Sequence, residues 1–161
     1  MDLVDKKMSV EKQTLSETPE TMLDLDENIN HELLVLVNVL LHASYQFVLL
    51  RSVADSLNMQ GSSWIMEKRD NRCRDSVVNI LTWIEENNGY LEFADITKPI
   101  FDDSQLDGPF FFDRWDEVEK WIREKIVDTK GKIIHSHYEK KTEVIAMLES
   151  VLSYILYSGY Y

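Results

Sequence analysis

Residues 67 to 75, EKRDNRCRD, place three carboxylates, Glu67, Asp70 and Asp75, in one short run. Carboxylate oxygens are hard ligands of the kind that gather iron and other hard cations. Lys68, Arg69, Arg72 and Arg74 are interleaved with them, and each neighbouring cation weakens that attraction. The run therefore reads as a solvated helix face before a metal-gathering one. His135 and His137 stand two apart, which on a helix points them to different sides, and His31 and His42 are isolated. The single cysteine, Cys73, excludes an internal disulfide framework and reads as an ordinary buried thiol. No glycine-rich phosphate loop, nucleophile elbow or zinc spacing occurs in the sequence.

The elements that would position these groups are helices. A chain of 161 residues suits one domain, and five glycines and three prolines among 44% hydrophobic residues argue against disorder and against a turn-rich β fold. Residues 1–23 are polar and weakly patterned, a flexible tail with Pro19 near its end, and 24–161 form the domain. Asp24 and Glu27 suggest a capping box, followed by Ile29, Leu33, Leu36, Leu40, Phe47 and their neighbours on one helical face to about Ala54. Leu and Val occur nearly all round this first helix between 33 and 41, so it should be covered on more than one side. No window is read as the roughly 18 continuous apolar residues of a membrane span.

Ser62 or Ser63 is expected to cap a second helix reaching Asn87, with Met66, Asp70, Cys73, Val77, Ile80 and Ile84 inward and Asn88-Gly89 as a left-handed C-cap. A third helix from Pro109 to about Val127 buries Phe110/Phe111, Trp115, Val118, Ile122 and Ile126; DTKG breaks it, and a fourth runs from about Lys132 to Leu156. The aromatic cluster PFFFDRW, 109 to 115, reads equally as core packing and as an interface patch. Between Gly89 and Gly108 the chain has no helical period, and so long a connection suggests a crossover joining helices 2 and 3 from pole to pole. The expected fold is all-α, a four-helix bundle with that crossover.

Three stretches in this order resemble the ferritin family. VNVLLHASYQF, 37 to 47, is similar to the family's first-helix pattern at Asn38, Leu41, Ala43, Ser44 and Tyr45. NNGYLEFADITKP, 87 to 99, resembles the segment opening its long loop at Gly89, Phe93, Asp95, Ile96, Lys98 and Pro99, and HYEKKTEVIAML, 137 to 148, is similar to its fourth-helix pattern. The resemblance implies a ferritin-like bundle that lacks the family's short fifth helix, since the chain stops at YSGYY. It also locates what a di-iron oxidation site would need. The helix-1 glutamate falls on Leu40, the Glu-x-x-His pair on Cys73 and Ser76, and the helix-4 glutamine on Thr142. Only Glu119 on helix 3 keeps an acid, so no ferroxidase activity is expected. Arg72 or Arg74 pairing with Glu117 or Glu119 would fill the space with charge. The family's three-fold channel acids fall on Lys132 and His135.

The resemblance thus implies a non-catalytic, light-chain-like subunit for intracellular iron storage and iron homeostasis, co-assembling with a catalytic ferritin subunit into a shell, or else pairing as a homodimer. Glu67, Asp70, Asp75 and Glu119 are the candidate iron contacts; an Fe(III) mineral is the associated cofactor, and none is required for the fold. The alternative is a ferritin-derived helical scaffold that no longer binds iron. A net charge of -12 disfavours nucleic acid and anionic membranes and suits cations or a basic partner. With no signal-peptide pattern in the first twenty residues, the expected compartment is the cytoplasm.

Overall fold

The computed structural model describes residues 24–92 and 108–157. The expected tail, residues 93–107 of the long connection with most of its ferritin-like motif, and the last four residues lie outside them. The described residues are helical: α1 spans Glu27–Ser56, α2 Gln60–Glu86, α3 Phe111–Ile134 after a single 3-10 turn at Gly108–Phe110, and α4 Lys141–Leu156. Each of α1 and α4 packs against both α2 and α3. Directions follow from the bonds between them. Arg114 on the first turn of α3 reaches Gln46 late in α1, while Lys132 at its other end reaches Glu32, so α1 and α3 are antiparallel. Arg69 meets Leu156 and Lys140 meets Asn87, so α2 and α4 are antiparallel too. Ser63 meets Asp55 and Leu25 meets Asn87, so α1 and α2 are also antiparallel and α2 and α3 run parallel.

α1 is apolar all round because it lies between two neighbours. Leu33, Leu36, Leu40, Phe47 and Leu50 are fully buried, and each such side chain contributes about 1.5–3 kcal/mol by leaving water. Contrary to the sequence reading, this helix is long and apolar enough to cross a membrane by length and composition, but 67% of that window is buried inside the bundle. Its cap is Asp26 rather than Asp24, accepting from the Asn28 and Ile29 N–H groups. α2 begins at Gln60, earlier than a serine cap would have it, and Ser63 instead bonds Asp55 from within the helix.

DTKG does not end α3. Thr129 is buried and donates to the Lys125 carbonyl at 2.9 Å, Ile133 extends the stripe of Ile122 and Ile126, and the break falls at Ser136, whose hydroxyl bonds the Ile133 carbonyl. One glycine costs a helix only about 1 kcal/mol, less than burying Ile133 returns. α4 therefore starts at Lys141, not Lys132, and Ile134, at the end of α3, is exposed.

At the end of α2 the left-handed residue is Asn88, with φ of 60°, while Gly89 is not left-handed. Glycine is required at 89 for another reason. A Cβ there would sit 2.2 Å from Asn30 Oδ1 and 2.6 Å from Ile84 Cγ2. The buried Asn30 amide accepts from the Tyr90 N–H and donates to the Tyr90 carbonyl, both at 3.0 Å, and the Leu25 N–H donates to the Asn87 carbonyl at 2.9 Å. This clasp fixes the departure of the chain from α2 beside the start of α1. Gly108 lies at the opposite pole, against Leu57 at the end of α1.

Candidate functional site

A fully buried arginine sits in the interior between α2, α3 and α4. Arg69 has 0% exposure; its Nε donates to Glu119 Oε2 at 2.9 Å and its Nη2 to the Leu156 carbonyl at 3.2 Å, near the end of α4. The same Glu119 oxygen accepts from the Trp115 indole N–H at 2.6 Å. Helix geometry makes this possible: Trp115 and Glu119 stand four apart on α3, and Arg69 lies one turn from both Met66 and Cys73 on the inward stripe of α2. Taking both charges out of water costs several kcal/mol per ion, which their mutual attraction and the extra hydrogen bonds from Trp115 and to Leu156 offset.

Second and third polar clusters flank it. Asp70 accepts from the Ser44 hydroxyl and pairs with Arg74 at 2.9 Å, and Arg74 also donates to Ser44 Oγ at 3.1 Å, joining α1 to α2. Arg114 is buried and donates to Gln46 at 3.0 Å, joining α1 to α3. Cys73 lies among them with its thiol pKa pushed far up, first by burial and then by the Asp70 charge, so it stays protonated and unreactive.

The four carboxylates named as iron contacts do not converge. Glu67 pairs with Arg51 on the surface at 3.5 Å, Asp70 is held as above, Asp75 accepts from the Tyr154 hydroxyl at 2.7 Å, and Glu119 is bound by Arg69 and Trp115. Among the described residues no group of three His, Cys, Asp or Glu side chains could hold a metal ion. Leu40, Cys73 and Ser76, onto which the resemblance places the family's ligands, are buried, whereas Thr142 is exposed. Lys132 and His135 belong to the end of α3 and its turn, not to a helix-4 start. There Lys132 pairs with Glu32 at 3.2 Å across an open cleft of about 370 Å³ that Asp26 and His137 also line.

The interior charge pair expected from Arg72 or Arg74 exists, but Arg69 makes it. Arg72 instead lies over the Tyr154 ring, 5.0 Å from its centroid, and donates to the Tyr154 carbonyl at 3.1 Å. The signal for Arg69 was its register with Met66 and Cys73; reading 67 to 75 as one solvated run hid it. No family model, curated protein or solved structure matches the chain, so the likeness to ferritins rests on the quoted residues alone.

Proposed function

We propose that the chain is a non-catalytic helical subunit that acts by assembling with other chains, with an interior closed to metal chemistry. The carrying observation is Arg69, buried completely and 2.9 Å from Glu119, the one acid that the ferritin resemblance leaves at a di-iron ligand position. A guanidinium stays charged throughout the ordinary pH range, so it repels a metal cation at Glu119 and holds that carboxylate as its own partner.

A second reading, a light-chain-type ferritin subunit serving iron storage, is favoured by the order and directions of the helices. α2 ends at Asn87 beside the start of α1 and α3 begins near the end of α1, a placement compatible with a ferritin-like crossover. The sixteen steps from Glu92 to Gly108 reach about 55 Å when extended, against about 40 Å for the 27 residues of α2. A basic side chain in the oxidation-site region also agrees with a subunit that leaves oxidation to a partner.

Size-exclusion chromatography with iron analysis, for the chain alone and co-expressed with a catalytic ferritin subunit, separates the two. The assembly reading predicts a discrete, small, iron-free species whose elution the ferritin subunit leaves unchanged. Co-elution in a large iron-bearing shell selects the storage reading, and catalysed Fe(II) oxidation by the pure chain overturns both.

A further inference from the structure

The aromatic run at the start of α3 divides between core and surface. Phe111 is fully buried, but Phe110 is 39% and Phe112 59% exposed. Phe112 stacks on Trp115, with centroids 6.0 Å apart and planes at 24°, and meets Phe111 edge-on at 5.0 Å. Leu57, 43% exposed at the end of α1, lies against Gly108, so the apolar surface continues across the pole. Single exposed apolar residues need no explanation, whereas a contiguous group of aromatic ones does.

On α3 the exposed charges nearest Phe112, those of Asp113, Asp116 and Glu117, are acidic, and the first exposed cation after them is Lys120. Asp113 and Asp116 are exposed, one residue and one turn on from Phe112. Arg114, the cation within the stretch, is buried and directed to Gln46, with Glu117 Oε1 at 3.7 Å from its Nε. Water therefore meets aromatic faces and carboxylates together. Ring faces carry negative potential and attract guanidinium and ammonium groups, and carboxylates select the same groups while repelling phosphate and acidic peptides. Trp115 is also held in place beforehand, because its indole N–H is fixed by Glu119 and Glu119 by Arg69. Phe112 leans on that fixed ring, which limits the freedom it has to lose when a ligand stacks on it.

We propose that this pole docks a basic, arginine-bearing segment of a partner protein, its cations stacking on Phe112 and pairing with Asp113 and Asp116. The proposal rests on the assembly reading above and adds to it the surface and the chemistry of the partner. The net charge of -12 supports the same choice, since it draws basic partners at long range and turns nucleic acid away.

The test is fluorescence anisotropy of a fluorescein-labelled peptide of alternating arginine and leucine, titrated with the full chain at low and high salt. Saturable binding that weakens with salt is expected, with about a tenfold loss in Phe112→Ala and in Asp113→Asn/Asp116→Asn. Glu85→Gln/Glu86→Gln, an equal loss of charge at the other pole, should bind as the wild type does. Phe112 is mostly in water, so its removal leaves the fold intact, which circular dichroism verifies. The proposal fails if the peptide does not bind, if Phe112→Ala binds unchanged, if the Glu85/Glu86 variant weakens binding equally, or if a glutamate-leucine peptide binds as well. A small iron-free oligomer that ignores the peptide would remove this surface and leave the assembly reading standing.

Discussion

Arg69 shows how much a single interior charge depends on its partners. With the guanidinium gone, Glu119 would be left 12% exposed and facing the core with only the Trp115 indole to satisfy it. Arg69→Met alone is expected to cost about 3–5 kcal/mol in denaturant unfolding, whereas Arg69→Met with Glu119→Leu should recover most of that loss, because an apolar pair of similar volume replaces an ion pair at little net cost. Failure of the double variant to recover would mean that the pair does more than satisfy itself. Tyrosines set the alkaline limit. The Tyr154 hydroxyl donates to Asp75, and that bond first, then burial and the Asp75 charge, raises its pKa above the ordinary value of about 10. Tyr90 and Tyr138 are raised chiefly by burial. The folded state thus holds these protons more tightly than the unfolded chain, so stability is intact below pH about 10 and falls as pH rises through the raised folded values. Unfolding midpoints measured from pH about 8 to 11 should fall less steeply in Tyr154→Phe than in the wild type. At this scale the sequence displayed the ingredients and hid the pairing: the Trp115 and Glu119 spacing is visible, and Arg69 stands in register with Met66 and Cys73, but nothing in the sequence says that it meets Glu119 fifty residues away.

The helices themselves were legible wherever apolar periodicity was long. The inward stripes of α1, and of α2 at Met66, Cys73, Val77, Ile80 and Ile84, came directly from spacing, as did Val118, Ile122 and Ile126 on α3. Ends were harder to read, because a breaker competes with tertiary burial that the sequence does not display. Gly131 was taken as a stop, yet it sits inside α3 with nothing within 4 Å of a Cβ added there. Gly89 was taken for its conformational freedom, yet it is needed for the close approach of Asn30. The two glycines therefore carry opposite expectations. Gly131→Ala should stabilise by about 0.5–1 kcal/mol through helix propensity, and Gly89→Ala should destabilise by about 2–3 kcal/mol because its Cβ displaces the Asn30 amide. Thermal unfolding of the two variants checks both signs, and a stabilising Gly89→Ala would contradict the clasp.

For the whole molecule, the all-helical class and the presence of four helices were legible from apolar periodicity, while the charge clusters between helices were not, since each joins residues far apart in sequence. Ser44 with Asp70, Gln46 with Arg114 and Arg69 with Leu156 all bind one helix to another through a polar pair inside an apolar core. Removing one partner of such a pair leaves a buried polar group unsatisfied, so each is costly to break whatever its net contribution. In the proposed reading these pairs also keep Glu119 from acting as a metal ligand. Anaerobic titration of the pure chain with Fe(II), compared with Glu119→Gln, tests that claim most directly. We predict no saturable binding in either protein; binding by the wild type that Glu119→Gln abolishes would contradict it and return Glu119 to the role of a metal ligand.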